Sequence, residues 1–371
     1  MSTPPSQTGP FKPLRGIRVL DLTMNLPGPL ATLILSDLGA QVVKVEAPPH
    51  GDPLRAAPPL VGGTSALFHC LNRGKRFVAL DLKNPRQREV FRALLARSDC
   101  LVEGFRPGVL PRLGLDPERL SAENPHLIVA RLSGYGTGGP YRDRAGHDVN
   151  FLGLSGILDG QRDPDPLPIQ VADVGGALLA AVSILAALLE PGPRPGRILD
   201  IPLLDAALLF AMPAHAREAA GDDPCPGRGF LEGGLPTYRL YRDADRRWVS
   251  VAALEPRFSE QLAGLFGSLD LDALCAGFSR LPRGRLFEQE PLAPCVEPVL
   301  SFSEAREHPA VRARSLFRIM KTGDQAIPLP VTPFAREDPV PDGPWASAVG
   351  ADNCCILKHV TQDETPNPRR E

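Results

Sequence analysis

Short apolar runs alternate with helix-start signals along the first half of the chain, and this alternation limits the fold more than any other feature. Ile17 to Leu22 is an apolar run, Pro27 to Leu38 has helical periodicity, and Gln41 to Glu46 is again rich in β-branched residues. The pattern repeats. Phe77 to Leu80 reads as strand, Pro85 to Leu95 as a helix with Asn84 at its cap and proline in its first turn, and Cys100 to Val102 as strand. Asp116 and Pro117 open a further helix, Leu127 to Leu132 forms the next strand, and a long apolar helix runs from Val174 to Leu189. Alternation of strand and helix signals is the pattern of crossover connections. It predicts an α/β fold with a doubly wound, Rossmann-like parallel sheet.

From about residue 225 the texture changes. Thr237 to Arg242 and Trp248 to Ala252 read as a hairpin and Glu255 to Leu265 as a helix. These elements predict a smaller α+β lobe over residues 230–314, joined through a linker at 206–229 to a large lobe made of 1–205, with 315–371 returning to it. Beyond Ser301 short helices and a polar tail are expected. With 371 residues, two lobes are the natural expectation.

The formal net charge of -2 provides no global basic field, so nucleic acid is disfavoured and any anionic ligand must be met by local groups. Seven irregularly spaced cysteines fit reduced thiols in a cytoplasmic setting. The apolar stretch from Val174 to Leu189 is short and rich in small residues, and no membrane association is expected from it.

Asp21 and Glu46 end successive strands, as in a nicotinamide-dinucleotide site, but the intervening turn reads Asn25-Leu26-Pro27-Gly28-Pro29, which lacks the glycine pattern that admits a pyrophosphate. The glycine-rich Ser133 to Pro140 reads as a flexible loop, and it runs towards Gly146-His147-Asp148, an imidazole between a glycine and a carboxylate. No second histidine stands at metal-ligand spacing from it. Asp173 begins the long apolar helix, where a carboxylate commonly serves as an N-cap, and Gly175 and Gly176 behind it leave room for a ligand. Glu255 similarly suits a first helical turn.

Taken in order, Pro13-Leu14-Arg15-Gly16-Ile17-Arg18-Val19-Leu20-Asp21-Leu22, Leu38-Gly39-Ala40 with Val42 to Glu46, Leu80-Asp81-Leu82-Lys83, Phe105-Arg106-Pro107-Gly108-Val109 and Arg131-Leu132-Ser133-Gly134 resemble the family III (CaiB/BaiF-type) CoA-transferases over residues 13–360. The run from Gly146 to Phe151 and the segment Ala253 to Pro256 are similar to the 2-methylacyl-CoA racemase branch of that family, whereas transferases commonly carry a tyrosine where His147 stands. The resemblance implies an interlocked homodimer and an acyl-CoA thioester as substrate, with no metal or redox cofactor. His147 and Asp173 would flank the substrate α-carbon, and Glu255 would orient the histidine. Leu80, Asp81, Leu82, Lys83, Gly104, Phe105, Arg106, Arg112 and Asp148 would hold CoA.

Inverting a centre beside a thioester needs a base on one face and a protonated acid on the other, and a partly desolvated Asp173 would have its pKa raised towards a useful value. Helix-start amides near Asp173 and the glycine-rich loop are candidates for stabilising an enolate oxygen. CoA transfer through an aspartyl mixed anhydride and non-catalytic CoA binding stay open as alternatives.

Overall fold

The computed structural model describes residues 11–191, 196–221, 229–287, 294–339 and 343–362. It forms two compact units, the first made of Met1–Ser155, Leu167–Phe210 and Ala313–Glu371, the second of Gly156–Pro166 and Ala211–Arg312.

In the first unit six strands form one parallel sheet: β1 (Arg18–Asp21), β2 (Gln41–Glu46), β3 (Arg76–Ala79), β4 (Cys100–Glu103), β5 (Ile128–Ser133) and β6 (Arg197–Pro202). Their spatial order is β3-β2-β1-β4-β5-β6. Winding therefore reverses between β1 and β4, and the carboxyl ends of these two strands open a crevice at the switch point. Strand alternation divides the core between the two faces. Val19, Val42, Val102, Ile128 and Ala130 pack against helices α1 (Pro27–Asp37) and α7 (Val171–Leu188), while Leu20, Val45, Leu101 and Val129 pack with Phe91 and Leu94 of α3 (Pro85–Leu95). Between these helices come α2 (Ala66–Asn72), α4 (Val109–Arg112), α5 (Pro117–Glu123) and α6 (Asp148–Leu154).

Helix α7 has the length and composition to cross a membrane. Here Ala177, Ala180, Ala181 and Ile184 lie buried in the core cluster shared with α1 and the sheet, and the three alanines permit close approach. The starts of α3 and α5 follow the expected chemistry. The side chains of Asn84 and Asp116 accept from the first free amides, and proline occupies the first turn.

Three stretches differ from the sequence-based expectation. Residues 206–219, expected as linker, belong to helix α8 (Leu203–Ala219), whose leucine- and alanine-rich start has high helix propensity and carries the chain past Pro213; residues 222–228 of that expected linker lie outside the described residues. Strand β6 was not anticipated; it pairs with β5 over its whole length. Beyond Ser301 short helices are indeed present, but Phe317–Thr322 and Gln325–Pro330 form an antiparallel hairpin. Gly323 at φ 54° supplies its two-residue turn. The same segment returns to the first unit. Asp352 and Asn353 accept from the amides of Phe77 and Ala79 at 2.8 and 2.9 Å, which satisfies the outer edge of β3.

In the second unit Tyr238–Arg242, Trp248–Ala252 and Val296–Pro298 form a three-stranded antiparallel sheet. It packs with helices α9 (Pro256–Phe266) and α10 (Leu271–Phe278) around Tyr241, Val249, Leu262 and Phe278. The turn at 243–247 has no glycine. Arg246 takes the left-handed conformation at φ 59°, and the buried Asp243 carboxylate braces the turn by accepting from Arg247 N at 2.8 Å and pairing with Arg283 at 3.0 Å.

A buried ionic network joins β1 to the loops after it. Asp21 Oδ1 accepts from Thr23 N at 2.9 Å, and Asp21 Oδ2 accepts from Thr32 Oγ1 at 2.6 Å and from Lys75 Nζ at 3.1 Å. Lys75 also donates to Pro29 O at 2.9 Å and Asn72 Oδ1 at 2.9 Å. Lys44, beside Asp21 in the sheet register, donates to Thr23 O at 2.6 Å and pairs with Asp52 at 3.1 Å. Burial raises the Asp21 carboxyl, but the Lys75 and Lys44 charges and the Thr23 and Thr32 hydroxyls outweigh it and leave the group far below the ordinary carboxylate range. Burial lowers the Lys75 ammonium to about 8 against the opposing pull of Asp21.

Replacing one partner strands the other charge in the core, so Asp21→Ala should cost about 3–5 kcal/mol, read from the shift in the urea unfolding midpoint. Because the Asp21 value is depressed, its contribution is present above the ordinary carboxylate range and lost as pH falls, so the gap between wild type and variant should narrow in acid. A cost under about 1 kcal/mol would mean that the network is dispensable.

Candidate active site

A cleft of about 510 Å³ lies at the switch point of the sheet. One side of its lining is Thr23, Met24 and Asn25, which follow β1; another is Gly104 to Pro107, which follow β4; a third is Leu132 to Gly134, at the end of β5. The turn after β1, rejected as a dinucleotide loop, is a wall of this cleft. Asn25 adopts φ 63°, and a Cβ on Gly28 would come within 2.2 Å of Thr23, so the turn is closed too tightly to cradle a pyrophosphate. Glu46 is engaged as well. Arg55 grips both its oxygens, at 2.9 and 2.7 Å.

His147 and Asp173 line this same cleft. They reach it from adjacent helix starts, since His147 is the N-cap of α6 and Asp173 lies in the first turn of α7. Asp148 ties the two starts together. Its Oδ1 accepts from Ala172 N at 2.7 Å and from Asp173 N at 3.1 Å, so the carboxylate that caps α7 is Asp148, not Asp173 as the sequence alone favours. Asp173 is thereby left for the cleft. Its carboxyl is pushed up to about 6, first by burial and then by the like charge of Asp148, with His147 opposing.

Several expectations change in this setting. The Ala172 and Asp173 amides are already taken by Asp148, so the helix start does not offer them to an enolate oxygen. Gly175 and Gly176 make room for α8 rather than for a ligand. A Cβ on Gly175 would meet the Phe210 ring at 2.4 Å, and one on Gly176 would meet Leu203 at 2.3 Å. The glycine-rich loop is pinned where a flexible one was expected. Gly136 N donates to Ser133 Oγ at 3.0 Å, and Thr137 donates to Asp200 through its amide at 2.9 Å and its hydroxyl at 2.7 Å.

Of the residues expected to hold CoA, Gly104, Phe105 and Arg106 line the cleft, and the buried Glu103 holds their loop by accepting from Phe105 N at 2.8 Å. Leu80, Asp81, Leu82, Lys83, Arg112 and Asp148 are not in its lining. The side chains of Leu80 and Leu82 are buried in the core, which leaves only their backbone for a ligand. Asp81 Oδ1 accepts from Lys83 N at 3.0 Å, and Lys83 and Arg112 are exposed. Asp148 is occupied at α7. Glu255 stands in the second unit, exposed, at the N-cap of α9. Arg142 and Arg144, which the sequence reading passed over, line the cleft beside His147; their place on the loop leading into the histidine was the available signal.

The model of CoA-transferase family III matches residues 14–290. The chain belongs to that family. It is 34% identical to an alpha-methylacyl-CoA racemase of Mus musculus, covering 93% of this chain and 92% of the relative. It is 31% identical to an acetyl-CoA:oxalate CoA-transferase of Acetobacter aceti, covering 91% of this chain and 92% of the relative. Among solved structures, a CaiB/BaiF family protein from Brucella suis superposes with a TM-score of 0.80 at 27% identity over 94% of this chain and 99% of the other. The fold expected from the strand pattern is therefore that of the family. Racemases and transferases both stand among its relatives, so the family membership establishes an enzyme of this superfamily, with which an acyl-CoA substrate is consistent.

Asp148→Asn keeps the oxygen that caps α7 and removes the like charge, so the Asp173 carboxyl should fall below about 6, towards the ordinary carboxylate range. A carbon-detected NMR titration of the Asp173 carboxyl reads this directly, and an unmoved or raised value would contradict the electrostatic account. The raised wild-type value also means that this group's contribution to folding stability is complete below the ordinary carboxylate range and is lost as pH rises through about 6.

Proposed function

We propose that this enzyme is an acyl-CoA racemase or epimerase that moves a proton at C2 of a 2-methyl-branched acyl-CoA. The observation that carries the reading is the placement of His147 and Asp173 on one cleft, with the Asp173 carboxyl at about 6. One of the pair, as base, removes the C2 proton. The electron pair moves onto the thioester oxygen as an enolate, and the other group, protonated, returns a proton from the opposite face. A carboxyl that titrates near neutrality can serve in either protonation state, as a reversible exchange requires. Glu255 enters this reading, from the family resemblance, as the group that orients the imidazole.

Gly104 to Arg106 are assigned to the CoA portion, with the backbone at Leu80 to Lys83 and the Arg112 guanidinium. The homodimer implied by the resemblance belongs to the same reading. Leu178 and Val182 on α7, with Leu209 and Phe210 on α8, are large apolar side chains 48%, 61%, 51% and 51% exposed, and they support an apolar contact with a second copy.

CoA transfer is the second reading, favoured by the similarity to the acetyl-CoA:oxalate CoA-transferase. There the Asp173 carboxylate would attack the thioester carbonyl, releasing the CoA thiolate and leaving a mixed anhydride. That chemistry wants an ionised carboxylate and no base at C2, so a raised Asp173 and a cleft histidine favour racemisation. Incubation with a 2-methylacyl-CoA in heavy water should replace the C2 hydrogen with deuterium, and His147→Ala and Asp173→Asn should each lower the rate by about 10²-fold or more. No exchange in the wild type, with hydroxylamine trapping of Asp173 after incubation with acyl-CoA alone, would replace this reading with transfer.

A further inference from the structure

The proton transfer proposed above uses one imidazole and one carboxyl, yet among the described residues the cleft lining also holds three arginines, Arg106, Arg142 and Arg144, and Asp173 is its single acidic side chain. Arg106 is spoken for by the CoA reading. Arg142 and Arg144 stand five and three residues before His147 on the loop that delivers the imidazole.

Arg144 is held in position by aromatic rings. Its guanidinium lies 3.9 Å from the centroid of the Tyr141 ring. Tyr141 packs edge-on against Tyr135 at 5.3 Å, and Tyr135 packs edge-on against Phe151 at 5.1 Å. Phe151 is fully buried in α6, so the stack is anchored in the core. A guanidinium stacked on a ring keeps its N–H edge free for an acceptor lying in its plane, the arrangement that suits a carboxylate. Among the described residues the Arg142 side chain pairs with its sequence neighbour Asp143 at 3.5 Å, both side chains being largely exposed, and such a pair is weak and easily exchanged for a stronger acceptor. A neutral alkyl tail would desolvate these cations with nothing in return, whereas an anion would compensate them.

We propose that Arg144, assisted by Arg142, recognises a carboxylate at the far end of the acyl group, so that the substrate class is an acid-terminated, α-branched acyl-CoA. This rests on the reading of the cleft as an acyl-CoA site and not on which reaction follows. The same guanidinium chemistry could instead serve a phosphate of CoA, and the two sources are separable.

The experiment is equilibrium binding to the full chain by calorimetry, which needs no turnover. Its ligands are 2-methylglutaryl-CoA and the neutral 2-methylpentanoyl-CoA, and the same two acyl groups on pantetheine, which carries no phosphate. Wild type should bind the acid-terminated member of each pair on the order of ten-fold more tightly. Arg144→Gln should reduce that ratio on both carriers, and Arg142→Gln with Arg144→Gln should bring it near one. Thermal unfolding of these exposed-site variants checks that the fold is kept.

A wild-type ratio near one, or a ratio unchanged by the double variant, overturns the proposal. So does an equal weakening of both CoA thioesters with no effect on the pantetheine pair, which assigns the arginines to phosphate. Absence of binding by all four thioesters overturns the acyl-CoA reading itself, while selective binding without C2 exchange leaves this inference standing and removes only the racemase reading.

Discussion

The buried ionic network of Asp21, Lys75, Lys44 and Asp52 is the constraint on which the rest of the first unit depends. It lies beneath the carboxyl end of β1, where the sheet changes winding direction and where an open α/β fold places its ligand crevice. Lys44 holds the carbonyl of Thr23 and Lys75 that of Pro29, so two ammonium groups fix both ends of the turn that walls the cleft. Water would solvate these charges more cheaply than the core does, so each carboxylate and hydroxyl in the network is needed to offset the desolvation. The turn is rigid as a consequence. A rigid wall allows the loops after β4 and β5 to be set against it with a defined separation.

The second element of the site is also electrostatic. Asp148 performs two tasks with one carboxylate: it closes the start of α7 through two backbone amides, and its charge raises the Asp173 carboxyl in that same first turn. Had Asp173 been the cap, its charge would have been stabilised by the helix amides and its pKa held down. Moving the capping task to a residue on α6 leaves Asp173 beside the cleft without those bonds. His147, at the N-cap of α6 and adjacent to Asp148 in the chain, is carried to the same place by the same bridge. Joining two helix starts thus brings an imidazole and a carboxyl to one cleft, with the Asp173 side chain not spent on capping its own helix.

Much of the sheet was legible because local rules decide it. Val19 and Leu20 alternate across the sheet, Asn84 and Asp116 cap the helices they precede, and proline at each first turn closes off other conformations. Strand β6 and helix α8 were not legible. Arg197–Pro202 follows a segment with no clear period, and the leucine-rich run after it suits linker or helix until its packing is known. The hairpin at Phe317–Pro330 carried a signal in Gly323, between two apolar-rich runs, that the expectation of short helices beyond Ser301 did not use.

By itself, the sequence determined the parallel winding and the exclusion of a dinucleotide at the first turn, which follow from spacing and residue type acting over a few neighbours; the pairing of His147 with Asp173 came from the family resemblance, since local spacing favoured Asp173 as a helix cap. Tertiary structure alone decided which aspartate caps α7 and which remains free, that Gly175 and Gly176 admit Phe210 and Leu203 rather than a ligand, and that Arg144 is braced through Tyr141 and Tyr135 beside His147. Each of these depends on groups brought together by the sheet from distant parts of the chain, and burial and charge act through space.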